Sequence, residues 1–163
     1  MWRRAVKLLP ELGAVGVMGA LGAGLVLSLT APPPGEALAE YAAVRQGIAA
    51  INRWLLLPSL VLVLLSGLLA IAATRAYMDA GWPWLKALST VAMFEGTLLT
   101  VHSSGRKAAE IATLAASSGE PDLAALEPLL RTEWIGGWTI LALSLGNILL
   151  AVWRPRLRRP AAD

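Results

Sequence analysis

Four long apolar runs, close to residues 11–30, 54–74, 84–102 and 134–153, set what this chain can fold into. Each is near the ~20 residues that an α-helix needs to cross about 30 Å of hydrocarbon, and each is nearly free of charge. Lipid offers no partner to an open backbone N–H or C=O, so runs of this kind form helices, which satisfy those groups internally. The period-two alternation of a membrane barrel strand is absent. The reading is all-α: a four-helix transmembrane bundle. Four spans leave no segment large enough for a separate soluble domain, so residues 1–163 read as one integral membrane domain.

Proline placement agrees with these spans, because an interior proline costs a helix about 3 kcal/mol. Of the 10 prolines only Pro58 falls inside a run, which predicts a kink in the second helix. Pro83 suits the first turn of the third helix, and Pro10, Pro128 and the Pro32–Pro33–Pro34 triplet are assigned to flanks and loops. The first run follows a basic stretch, Trp2-Arg3-Arg4 and Lys7, as in a signal peptide. Its apolar stretch exceeds the roughly 7–15 residues of such a peptide and reads as an anchor.

Composition narrows the chemistry. Charged residues make up 15% of the chain, against about 25% in a soluble domain. Without cysteine there is no disulfide, thiolate nucleophile, iron–sulfur cluster or Cys-ligated zinc. The net charge of +3 does not imply nucleic acid, since the basic residues cluster toward the chain ends and not on one aromatic-lined face. An even number of spans puts both termini on one side. That side carries nine of the 14 Lys and Arg, at Arg3, Arg4, Lys7, Arg75, Lys86, Arg154, Arg156, Arg158 and Arg159. The other side carries five, at Arg45, Arg53, Arg106, Lys107 and Arg131, so both termini are expected to be cytoplasmic.

The 7 Trp fall into two interfacial belts, Trp2, Trp82, Trp84 and Trp153 inside and Trp54, Trp134 and Trp138 outside. Trp134 and Trp153 are separated by about 28 Å of helix, one bilayer core. The two outer connections, 31–53 and 103–133, are long and compatible with helix. Leu38, Tyr41, Val44, Ile48 and Ile51 make one apolar stripe, and Ala108, Ile111, Ala112 and Ala115 another. Ser118-Gly119-Glu120-Pro121-Asp122 reads as a helix stop followed by an N-cap at Asp122. Helices two, three and four are therefore expected to extend beyond the membrane on the outer side, by up to about 20 Å.

Glu95, mid-run in Met93-Phe94-Glu95-Gly96-Thr97, is the one ionisable residue deep in a span. It is expected to face the bundle interior with a partner or a proton, because a charge there costs roughly 2.5–3.5 kcal/mol. His102 follows at i+7, two turns along the same face. With Thr97 and Asn147 they form a candidate polar intramembrane site for a proton, an ion or a quinone-like head group. The same Glu95 would equally serve as interhelical glue, hydrogen-bonded to a Ser, Thr or Asn. His102 is the only histidine, so a haem held by two axial histidines within one chain is excluded. One His and one Glu also fall short of a zinc or copper site. No catalytic triad is recognisable, so no catalytic residue, metal or resident cofactor is expected, with haem or quinone kept as minor alternatives. In the first run Gly13, Gly16, Gly19 and Gly22 recur every three residues and mark a helix that packs closely on another.

The Trp82-Pro83-Trp84-Leu85-Lys86 opening of the third span and the closing Leu150-Ala151-Val152-Trp153-Arg154-Pro155-Arg156, together with the four spans, resemble small bacterial integral membrane proteins of unknown function. These look distantly like the membrane part of copper-resistance D proteins. The resemblance implies a bacterial inner-membrane location, and the histidines of that family's first span have no counterpart here, so no copper or haem ligands carry over. Two functional readings follow. In one the chain is a non-enzymatic accessory or assembly subunit that contacts other membrane subunits or further copies of itself. In the other, Glu95 and His102 line a proton, ion or quinone site.

Overall fold

The computed structural model describes residues 2–35, 37–73 and 81–153. The assignments made above for Arg75, for the 154–159 tail and for the side chains of Trp2, Arg3, Arg4, Lys7, Trp82, Lys86 and Trp153 lie outside what is described. Among the described residues the fold is all-helical, without strands. Helix α1 covers Trp2–Thr30, α2 Leu38–Ile51, α3 Leu57–Ala73, α4 Gly81–Gly96, α5 Ser103–Ser118 and α6 Leu123–Trp153. A π-turn at Asn52–Leu56 joins α2 to α3, and another at Thr97–His102 joins α4 to α5. The described chain therefore makes four helical rods. Two helical stretches, Leu9–Thr30 and Leu38–Ala73, are long and apolar enough to cross a membrane.

The helices outrun the apolar runs from which they were inferred, and this corrects the proline assignments: Pro10 lies within α1 and Pro128 within α6. Pro58 sits in the first turn of α3, directly after a π-turn, inside the helical stretch Leu38–Ala73. Proline brings no N–H and so removes one helix hydrogen bond. Just upstream the N–H of Leu57 reaches back five residues to the carbonyl of Asn52.

Packing follows the small residues. Helix α1 lies along α3, α2 along α5, and α6 against α5 and the second π-turn. A Cβ on Gly13 would meet Val63 Cγ2 at 2.6 Å, and one on Gly16 would meet Ser59 Oγ at 2.2 Å. The glycine spacing thus serves contact within the chain at these two positions. Gly19 and Gly22 have nothing within 4 Å of where a Cβ would stand, so they take no part in that seam. One core gathers Val17, Leu21, Leu56, Leu60, Met93, Val101 and Ile140. A second core, toward the α2–α5 end, packs Tyr41, Ala42 and Leu126 on Ala108 and Ala112. Alanine lets α2 approach α5 closely, and Ile111 stands at the edge of this seam, half-buried.

The α5–α6 turn follows its cap chemistry. Gly119 takes φ +79, a left-handed conformation that glycine adopts at little cost, and its N–H bonds to Ala115 O at 2.9 Å. Asp122 Oδ1 accepts the N–H of Ala125 at 3.0 Å, as an N-cap does. Asp122→Ala should therefore lower stability by about 1 kcal/mol. Thermal unfolding in detergent checks this, and a silent variant would show that the cap bond contributes nothing net.

Candidate functional site

The four polar residues expected to form one site are not brought together. Glu95 is exposed, on the same face of its rod as Trp84, Leu88, Val91 and Leu99, and not in the bundle interior. Among the described residues it makes no hydrogen bond or ion pair. The pairing with His102 fails for a backbone reason. Seven residues return an α-helix to nearly the same face, but the Thr97–His102 segment is a π-turn, with the N–H of Ser103 on Leu98 O. One extra residue in that turn makes the following side chains lag by roughly 100°. His102 is half-buried at its end. Thr97 is fully buried and donates to Met93 O of its own helix at 2.7 Å. Asn147 accepts from Ser89 Oγ at 2.7 Å and points its amide at Met93 Sδ, 3.2 Å away. It lines a smaller cavity of about 350 Å³ with Glu11, Met18, Thr90 and Ser144. Thr97 therefore acts as an intrahelical and Asn147 as an interhelical polar contact near Met93.

The Trp residues whose side chains are described agree with outward-facing roles. Trp54, Trp84, Trp134 and Trp138 are all exposed. Trp134 and Trp138 meet edge to face at 5.8 Å between centroids, and the Arg53 guanidinium lies over Trp54 at 5.3 Å.

The buried charge lies elsewhere. Arg45 of α2, counted from sequence among the basic residues of the outer side, is 2% exposed and donates through Nη2 to Glu133 Oε2 of α6. The Glu133 side chain is 11% exposed. Gly105 makes room for the pair: a Cβ there would lie 2.8 Å from Glu133 Oε1 and 3.1 Å from Asn52 Nδ2. Asn52 opens the first π-turn, and Tyr41 stands one helical turn before Arg45. Both are buried, at 3% and 5% exposure.

Among the described residues, three polar atoms in this cluster have no hydrogen-bond partner: Tyr41 Oη, Arg45 Nε and Asn52 Nδ2. Native proteins pair nearly all such buried groups, and each orphan costs about 1–3 kcal/mol. Tyr41 precedes the 54–74 run, in the second core. Burial pushes its phenol above its ordinary value; the Arg45 guanidinium opposes this and the Glu133 carboxylate adds to it.

The cluster opens onto a cavity of about 770 Å³, walled by the second half of α1, the Pro32–Pro34 connection, α2 and the first half of α6. Tyr41, Arg45, Asn52 and Glu133 all line it, beside Leu21, Leu25, Ile48, Leu126, Leu130 and Trp134. An apolar chamber with a few convergent polar groups is the usual form of a small-molecule site. A signal for it was present in the sequence. Arg45 and Asn52 fall in step with Tyr41 and Ile48 on one helix face, and Glu133 falls midway between Leu126 and Ile140, both buried. Among the described residues, no group of three or more His, Cys, Asp or Glu is placed to hold a metal. Compared with protein-family models, curated proteins and solved structures, the chain matches none.

Proposed function

We propose that this chain is a multi-pass protein of a bacterial inner membrane, both termini cytoplasmic, that serves as a non-enzymatic accessory or assembly subunit of a larger membrane complex. One observation carries the reading: Glu95 stands on an exposed apolar face of α4, without a partner among the described residues. At the surface of a soluble protein a carboxylate there would be ordinary. In the middle of a span it faces hydrocarbon, at a cost of about 2.5–3.5 kcal/mol if ionised. A helix of another subunit that donates a hydrogen bond to the carboxyl removes that cost, and polar contacts of this kind join membrane helices. Large apolar side chains are exposed on every rod, among them Val15, Leu29, Leu65, Leu69, Leu88, Leu99, Ile135 and Leu149. Such a surface suits lipid and neighbouring helices.

Purification of the full chain in mild detergent tests this. The wild type should bring down a stoichiometric membrane partner, either another subunit or a second copy. Glu95→Leu should lower that recovery by about tenfold, the worth of one interhelical hydrogen bond of 1–2 kcal/mol, while the unfolding temperature stays unchanged. Glu95→Gln, which still hydrogen-bonds, should retain most of it. A wild type that runs alone, or a Leu variant with its partner at full stoichiometry, would sink the proposal.

A further inference from the structure

The geometry points to a second site, independent of Glu95: the cavity between α1, α2 and α6 binds a neutral, lipid-soluble molecule that presents carbonyl-type oxygens to Tyr41, Arg45 and Asn52. Four observations converge on it. The three orphaned groups lie on residues at least nine-tenths buried, and all three residues line the cavity. Each orphan supplies a donor: a phenol O–H, a guanidinium Nε–H and an amide N–H. Glu133 Oε2 is already engaged by Arg45, so the three buried atoms left without a partner among the described residues are all donors. A ligand that fits must bring acceptor oxygens.

Charge decides between an anion and a neutral molecule. The charged residues of the lining are Arg45, Arg131, Glu127 and Glu133, so two positive charges meet two negative ones. No surplus remains to hold a phosphate or a free carboxylate. Apart from Ser28, Tyr41 and Asn52 the rest of the wall is apolar, and about 770 Å³ is far more than a few bridging waters need. It lies within the roughly 300–1,000 Å³ typical of ligand pockets. The body of the ligand is therefore apolar.

The backbone gives a further indication. Both π-turns feed this chamber, the first through Asn52 and the second through Val101. Such turns are frequent at functional sites, where they displace a side chain from regular helical phase. Here the displacement brings an amide to the polar end of an apolar chamber. Paired carbonyl oxygens on an apolar body occur in isoprenoid quinones and in the ester region of glycerolipids, and both would satisfy the same donors.

Titration of the full chain in detergent separates these two sources. Decylubiquinone is added while tryptophan emission is followed, since Trp134 lines the cavity, and dioctanoylglycerol is added calorimetrically in parallel. At least one should saturate at one molecule per chain, and the one that does identifies the source. Tyr41→Phe removes only an unpaired hydroxyl and should weaken that binding about fivefold, the usual worth of one hydrogen bond. R45M/E133L removes the charged pair while keeping apolar volume, and should weaken it by about tenfold or more with folding retained. The assignment is overturned if neither molecule saturates, or if saturable binding is unchanged in Tyr41→Phe and in R45M/E133L.

Discussion

Arg45→Met alone is expected to destabilise the protein by about 3–5 kcal/mol, and Glu133→Leu alone by a similar amount. Each change leaves one charge buried without its counter-charge. The 2% exposure of Arg45 and 11% exposure of the Glu133 side chain leave little water to replace the missing partner. The double variant R45M/E133L should unfold within about 1 kcal/mol of the wild type, or above it, because desolvating two charges costs nearly as much as their attraction returns. A double-mutant cycle by thermal unfolding in detergent reads the difference, and a shift of 1 kcal/mol corresponds to about 2–4 °C for a chain of this size. Additive losses, with the double variant worse than either single one, would mean that the two side chains are not a pair.

The sign of this result bears on why the pair exists. An ion pair that can be replaced by apolar side chains without loss of stability is not retained for stability. Its service then lies in what it holds in place. Arg45 ties α2 to α6 across one wall of the large cavity, and it lies one helical turn from both Tyr41 and Ile48. Gly105 lets α5 approach the pair so closely that a methyl group there would press on Glu133 and Asn52. The charges thus fix the register of three helices around the unpaired donors, and a ligand that meets those donors profits from that fixed geometry.

The helices could be read from the sequence because charge-free runs of this length leave the backbone few other choices, and the α5–α6 turn because Gly119 and Asp122 carry cap chemistry in their own side chains or lack of one. The π-turns were not legible in this way. Pro58 does not tell a π-turn from regular helix, since Pro10 and Pro128 sit in plain α-helix, and nothing in Thr97–His102 distinguishes a π-turn from the α-helix that the same residues would form. Without it, Glu95 and His102 share a face on paper and not in the protein. Arg45 and Glu133 each fall in phase with a buried stripe, so each was identifiable as an anomaly in its own helix. Their pairing was not, because 88 residues separate them and local periodicity does not tell which rods face each other.

Two adjacent glycines of α6 are expected to respond to alanine with opposite signs. At Gly136 a Cβ would stand 2.2 Å from Thr100 Oγ1 and 2.6 Å from Thr100 Cβ. Rotating the threonine cannot relieve the second contact, and it would break the bond that Thr100 Oγ1 donates to Gly96 O at 2.6 Å. Either α6 or the π-turn must retreat, and overpacking of this kind costs about 1–3 kcal/mol. At Gly137 nothing lies within 4 Å, since that position lines the large cavity. Alanine there meets no obstacle, and the helix gains about 0.5–1 kcal/mol from the lower backbone entropy of the unfolded chain. Gly136→Ala should therefore melt several degrees below the wild type and Gly137→Ala slightly above it. If Gly136→Ala were neutral, α6 would not press on the second π-turn, and the cavity wall at Val101 would have to be placed farther from α6. If Gly137→Ala were the damaging one, the face of α6 that lines the cavity would be rotated by one residue, and Glu133 would leave Arg45 with it.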